Sequence, residues 1–460
     1  MSGLTTKKPF ALSLSKCSLL LSHRKKGRAS TSSARPVFGA ITMLLATPAL
    51  AQTVAITGGK VVIGDGTAPI EGGTVVFTNG RVVAAGRGVA VPAGATVIDA
   101  RGKWVTPGIV AGFSRLGLAG VDAVDPSNDT SANKSMFNAA LDVAPAINPT
   151  VAAIAVNRAA GVTRAIVSPA AGDAIFAGQG AVIDTGNDVS PVTKAKAFQF
   201  VEFGEAGARR AGGARTALFV NFRTALAEAS DAARGVFRED ALLKRADAQA
   251  LIPVANGQTR LLIHVESATD ILAVLDLKRD YPLLNVVLVG VTEGWRVASQ
   301  IAAAKVPVIA SALNDLPDSF EQIAATQSNI GRMKAAGVNV AIGMIDDNDE
   351  RQAQLSMQYA GNLVALNKVP GATGLNWNDA FAAITSKPAE VVGMGAEIGS
   401  LRAGRRGDVV IWDGDPLEVT SAVEKVWIDG VAQPLETRQT RLRARYATPQ
   451  EGSLPKAFDR

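Results

Sequence analysis

Residues 105–118 read VTPGIVAGFSRLGL, an apolar, β-branched run that carries a Pro-Gly pair near its start and passes into a glycine-containing loop. Valine, threonine and isoleucine favour extended backbone, and a short continuous apolar run suits a strand covered on both faces. Its far end presents Phe113, Ser114 and Arg115. Whatever such a strand displays at its C-terminal end, two of those three side chains are large and chemically unlike each other.

Downstream of this strand the texture repeats. Apolar runs at 163–168 (TRAIVS), 217–222 (ALFVNF), 260–266 (RLLIHVE), 285–290 (NVVLVG), 306–311 (VPVIAS) and 338–344 (VNVAIGM) read as strands. Between them, 268–280, 293–305 and 352–366 carry helical apolar spacing. Seven to eight strand–helix units in roughly 290 residues predict an α/β fold, a (β/α)8 TIM-like barrel over 106–398. The AGQG stretch around Gln179 and Gly180 reads as a loop over the barrel mouth.

The flanks differ. Residues 54–105 alternate short β-rich runs with turns, among them Asn79-Gly80 as a hairpin turn, and 407–416 (GDVVIWDGDP) and 423–431 (VEKVWIDGV) repeat that texture near the other end. Two such segments predict a small composite β-sandwich domain, 52–105 plus 399–437, with the barrel inserted in it. Residues 438–460 form a C-terminal tail with Arg441, Arg443 and Arg445.

Residues 36–51 (PVFGAITMLLATPALA) have the apolar length and the Ala-x-Ala ending of a signal peptide, which makes 1–51 a leader cleaved near Ala51 and predicts a periplasmic or secreted protein. Eight of the 47 Lys and Arg and none of the 41 Asp and Glu precede Gln52, leaving 39 against 41 and a net charge of −2 where the full chain has +6. The basic pI thus belongs to the leader, and a nucleic-acid partner loses its electrostatic basis. No membrane span is expected after cleavage. Cys17 and His23 go with the leader, so the mature chain has no thiol and one imidazole, His264.

The order of motifs GLNWNDA (374–380), AITSKPAE (383–390), IGSLRAG (398–404) and GDVVIWDGDP, together with VTPGIVAGFSRLGL, resembles the amidohydrolase superfamily, of the imidazolonepropionase-like metal-dependent type. The resemblance runs over nearly all of the mature chain. It implies hydrolysis of amide, dipeptide or other C–N bonds by a hydroxide on zinc or another divalent metal, held by imidazoles and carboxylates at strand C-terminal ends. Against that pattern, the two first-strand histidine positions read Phe113 and Arg115, and the sixth-strand position reads Gly290.

What remains is His264, at the expected place on the fifth strand, and Asp346 or Asp347 after the eighth. His264 and Asp346 are therefore the catalytic candidates and the weak metal candidates, with Phe113, Arg115, Glu266 and Glu293 expected to line a substrate pocket. His264 also reads as a hydrogen-bonded core histidine and Glu293 as helix-end charge compensation. One histidine makes a poor metal site, so no cofactor is expected. The favoured function is a catalytically silent homologue, a pseudoenzyme that partners or regulates an active amidohydrolase in a homo- or hetero-oligomer. The alternatives are an active C–N hydrolase with an atypical site at His264 and Asp346, and a periplasmic binding protein for a small amide-like ligand.

Overall fold

The computed structural model describes residues 53–121, 124–345 and 351–448. The leader and the last residues of the tail lie outside them. The chain begins with β1 (Thr53–Val61), β2 (Ile70–Thr78), β3 (Arg81–Gly86), β4 (Thr96–Asp99) and β5 (Trp104–Pro107). Asn79 and Gly80 join β2 to β3 with φ of 51° and 74°; this left-handed pair matches the twist of the strands it connects, and Asn-Gly tolerates it. β6 (Ile109–Ser114), β7 (Val162–Val167), β8 (Phe176–Asp184), β9 (Val192–Glu202), β10 (Arg260–Val265), β11 (Asn285–Gly290), β12 (Val308–Ala310) and β13 (Val340–Ile342) follow. β14 (Val409–Trp412), β15 (Val423–Ile428) and β16 (Val431–Ala432) end the series.

The first five and last three strands form one sheet in the order β16-β15-β14-β5-β1-β2-β3, with β4 paired to β1. β14 joins antiparallel to β5, so the two ends of the chain meet in the middle of the sheet. Val54, Val75, Phe77 and Val82 share a buried cluster with Val409, Ile411 and Trp427, which means that the sheet curls on itself in the manner of a sandwich. The composite β domain read from the sequence is present.

The second sheet runs in chain order from β6 to β13. The barrel is nearly closed: Met344 N donates to Phe113 O at 3.1 Å, while Ile342 N and Val110 N reach the carbonyls of Ala383 and Ile384, both at 2.9 Å. Closure requires Gly112, where an added Cβ would lie 2.2 Å from Ile342 O. Val110, Phe113, Ile166, Val182, Phe198, Phe200, Leu262 and Ile309 fill the barrel interior. Their strand neighbours Ile109, Ala111, Ala165, Ile183, Val201 and Leu261 pack in the outer layer. This alternation is what a filled barrel demands.

Two expectations need correction. Residues 217–222 lie inside the helix Arg215–Ala233, because Leu218, Phe222, Ala225, Leu226 and Ala229 are buried at spacings of three and four, a helical stripe. The strand at that place in the barrel is β9. Gln179 and Gly180 lie in β8, buried along its whole length. β8 runs antiparallel to both neighbours, so the barrel departs from strict strand–helix alternation between β7 and β9.

Barrel and β domain are fastened by Arg164, a β7 residue with no exposed surface. Its Nε and Nη2 donate to the two oxygens of Asp408 (2.7 and 2.9 Å), Nη1 to Thr193 Oγ1 (2.7 Å), and Nη2 also meets Asp429 Oδ1 at 2.8 Å. Burial opposes the charge, but Asp408 first and Asp429 next raise the guanidinium's pKa above its ordinary value. Asp184, 3.5 Å from Nη1, is pushed up to about 6 by its own burial. Breaking such a group by removing one partner strands buried charge, typically at a cost of about 3–5 kcal/mol. Arg164→Leu is therefore expected to lower unfolding free energy by about that amount in urea titration; a loss under about 1 kcal/mol would show that the acids relax to solvent.

Candidate functional site

The site is built at the C-terminal ends of β9 and β10. These strands pair in parallel with Glu202 beside His264, and Glu266 follows two residues later on the same side. His264 Nδ1 lies 2.7 Å from Glu202 Oε2, and Nε2 lies 3.0 Å from Glu266 Oε1. A ring bonded to a carboxylate at each nitrogen is an imidazolium donating twice, since carboxylates only accept. Burial alone would lower the pKa of His264; Glu202 first, then Glu266, raise it well above 6.5. Glu202 is affected in the opposite sense. Burial would raise its pKa, and His264, followed by Arg210 and Arg115, brings it below the usual carboxylate value.

Glu266 is fixed on its other oxygen by Thr292 N at 2.8 Å. That bond depends on a tight turn after β11, with Gly290 at φ 90° and Val291 at φ 59°. A β-branched residue in the left-handed region is strained. At Gly290 an added Cβ would stand 2.3 Å from Glu266 Oε1 and 2.9 Å from the His264 ring. The Glu266 carboxylate thus occupies the space that a side chain at 290 would need.

These groups line a cavity of about 680 Å³ at the mouth, together with Arg115, Asn133, Arg209, Arg210 and Glu321. Arg210 is held by the carbonyls of Gly172, Ala206 and Ala171 at 2.7–3.1 Å. His264, Glu266 and Arg115 are brought together here. Phe113, expected on the pocket surface, instead packs inside the barrel against Phe200, ring centroids 5.4 Å apart. Glu293, also expected there, ties loops together: Oε2 accepts from Ala268 N and Arg296, Oε1 from Ala324 N. Asn221 and Arg223 lie on the helix Arg215–Ala233, and Arg223 pairs with Asp280 on the surface. Asp346 and Asp347 fall outside the described residues.

Glu202, which bonds His264 directly, was not expected from the sequence, nor were Asn133, Arg209, Arg210 and Glu321 in the cavity wall. The signal for Glu202 was the alternating run AFQFVE at 197–202, an apolar strand ending in an acid just before Phe203-Gly204. Assigning the barrel strand to 217–222 hid it.

A composite β domain interrupted by a barrel, with an acid–imidazole cluster at the barrel mouth, is the architecture that the comparisons with known proteins address. Residues 296–432 match the amidohydrolase family. Amidohydrolase tasK of Hapsidospora irregularis is 48% identical over 60 residues, 13% of this chain and 6% of that protein. An imidazolonepropionase of Maricaulis maris (strain MCS10) is 32% identical over 99 residues, 21% of this chain and 23% of that protein. The matched stretches thus span under a quarter of either relative. An amidohydrolase structure from Thermotoga maritima MSB8 superposes with a TM-score of 0.73 at 23% identity, covering 82% of this chain and 99% of that one. The barrel and its β domain thus share the fold of that amidohydrolase, and the sequence resemblance to the amidohydrolase family lies in residues 296–432.

The clamp has a defined pH signature. A raised His264 pKa stabilises the fold fully below 6.5 and loses that effect as pH rises through the folded value, whereas the lowered Glu202 pKa stabilises above 4.5 and loses it as pH falls. The two contributions are therefore present in full together between 4.5 and 6.5, and the His264 part declines as pH rises beyond that range. Glu202→Gln is expected to move the His264 imidazole titration, followed by NMR, downward, and to cost about 3 kcal/mol near pH 7. An unmoved midpoint would show that Glu202 does not control the ring.

Proposed function

We propose that this protein is an amidohydrolase-fold relative of C–N bond hydrolases that is silent as a metal hydrolase and keeps its barrel mouth as a pocket for a small amide-like ligand. The observation that carries the reading is the double hydrogen bond of His264. A histidine ligates a metal through a lone pair, and an imidazolium between two carboxylates offers none. The nitrogens point to opposite sides of the ring, so Glu202, His264 and Glu266 do not converge on one point. Among the described residues no group of three or more His, Cys, Asp or Glu side chains is arranged to hold a metal ion.

The charge pattern supports the same view. A hydrolytic metal site supplies a dication that lowers the pKa of water. Here Arg115 lines the cavity from the position that a second histidine would take in the family pattern, and a guanidinium beside a dication is repulsive. The donors present do not fit the family's metal. The cavity, of about 680 Å³ and lined mainly by charged and polar side chains, has room for a small polar ligand. Export to the periplasm and association with an active amidohydrolase belong to the same proposal and rest on residues 1–51 and on the sparse ligand set.

The test is metal analysis of the purified mature chain after equilibration with zinc, with a hydrolysis panel of N-acyl amino acids, dipeptides and cyclic amides. Substoichiometric metal and no turnover are expected, with a panel member that raises the melting temperature without being consumed. Stoichiometric zinc with turnover that His264→Ala abolishes would sink the reading. Phe113→His combined with Arg115→His is expected to give little gain in zinc affinity, because Gly290 and the clamped His264 remain.

A further inference from the structure

The segment between β12 and the helix Asn329–Ala335 passes over the mouth cavity and places Ser319, Glu321 and Gln322 in its wall. Its large apolar side chains do not anchor it: Leu316, Phe320 and Ile323 are 78%, 84% and 66% exposed. Polar ties do, and they are concentrated. At one foot, Ala324 N donates to Glu293 Oε1 (2.9 Å) and Ala324 O accepts from Trp295 Nε1 (2.8 Å). At the other foot, Leu313 stands at φ 66°, a left-handed conformation that a leucine holds only under constraint.

Between the feet, Glu321 turns inward and is buried. Its Oε1 accepts from Glu205 N (2.6 Å), at the start of the helix Gly204–Arg210, and from Arg215 Nη2 (2.8 Å), at the start of the helix Arg215–Ala233. Arg215 also grips Asp270 through Nε and Nη2 at 2.8–3.0 Å, and Asp270 sits in the first turn of the helix Ala268–Asp280. One carboxyl group thus joins the segment to three helices, and no apolar packing by its three large side chains would replace that junction.

We propose that residues 313–323 are a lid over the mouth cavity and that Glu321 is its latch, gripping Glu205 N and the Arg215 guanidinium that Asp270 also holds. The groups facing Glu321 are Arg215 and Asp270 on their helices and Glu205 on its own. Asp315 and Asp318 are exposed on the lid itself, and Arg209, Arg210, Arg115 and the Glu202–His264–Glu266 cluster line the cavity beyond. Two carboxyls in hydrogen-bond contact cannot both ionise cheaply. Burial first, and Asp270 next, push Glu321 up to about 7 against the pull of Glu205 N and Arg215. When protonated, Glu321 donates to Asp270 and keeps an oxygen for Glu205 N. When ionised, two anions share one guanidinium. The folded pKa is raised, so the latch holds fully below 4.5 and weakens as pH rises through about 7. The lid is closed in mild acid and loosened in mild base.

The inference rests on the cavity wall alone and holds whether or not the pocket hydrolyses anything. The test is amide hydrogen exchange by mass spectrometry on the whole mature protein at about pH 6 and about pH 8.5, corrected for intrinsic exchange, with peptides covering 313–324 and 204–206. Opening about tenfold more frequent at the higher pH is expected in those peptides, with β1 unchanged as a control for global folding. Glu321→Gln, whose amide can donate to Asp270 and accept from Glu205 N, is expected to keep the lid protected at both pH values. Glu321→Ala should leave it open at both. Equal corrected protection of the wild type at the two pH values, or a Glu321→Gln protein that still follows pH, would overturn the proposal.

Discussion

Arg164 is the group on which the two parts of this molecule depend. A fully buried guanidinium is tolerable only if every face meets an acceptor, and here the acceptors come from different parts of the chain. Thr193 and Asp184 belong to the barrel sheet; Asp408 and Asp429 belong to the returning C-terminal strands. The requirement couples barrel formation to docking of β14 and β15, because neither side can bury its charge alone. It also explains the aspartate at the second position of GDVVIWDGD: Asp408 stands just before β14 and takes the fork of Arg164, and its Oδ1 also accepts from Asp429 N.

At the barrel mouth the same principle is applied to a smaller cluster. Glu202 and Glu266 are buried carboxylates that need positive charge close by. His264 supplies it through two hydrogen bonds, and Arg115 and Arg210 add to the field on Glu202. Fixed side-chain cations here provide the neutralisation that a bound cation could give, and they do so without leaving imidazole lone pairs exposed. The hydrogen bonds make the cluster rigid, and Glu321 in the same cavity wall is pushed up to about 7 by its burial.

Much of this was legible in the sequence where the local signal and the tertiary outcome agree. Asn79-Gly80 fixes a hairpin by backbone preference, and the apolar runs of β7, β10 and β11 are too short and too β-branched for helices. The composite sheet followed from similar texture at the two ends. The misreadings arose where period was ambiguous. ALFVNF is six residues of apolar character, and only its continuation through Ala225, Leu226 and Ala229 reveals a helical stripe. AFQFVE lies beyond the charged lysines of KAK, at the inner half of a strand whose outer half is exposed, so its composition dilutes the signal. His264 and Arg115 could be placed at the mouth from strand ends, but the side-chain direction of Phe113 could not. Whether it faced the cavity or the barrel interior depended on Phe200, a residue of the strand that went unread.

The positions at which this mouth differs from the family pattern are mechanically linked and not independent. Glu266 reaches His264 Nε2 because Gly290 has no side chain, and it is held there because the turn at Gly290 and Val291 aims Thr292 N at its second oxygen. A side chain introduced at 290 would meet Glu266 before it met any ligand, and it would have to adopt φ near 90°. Phe113 fills the upper barrel interior with Phe200, so a polar replacement there would face a dry apolar layer. A side chain at 290 would therefore require the β11 turn and Glu266 to change together. That coupling makes the Glu202–His264–Glu266 cluster a self-consistent arrangement of the barrel end, in which the turn at Gly290 and Val291 both leaves room for Glu266 and holds it.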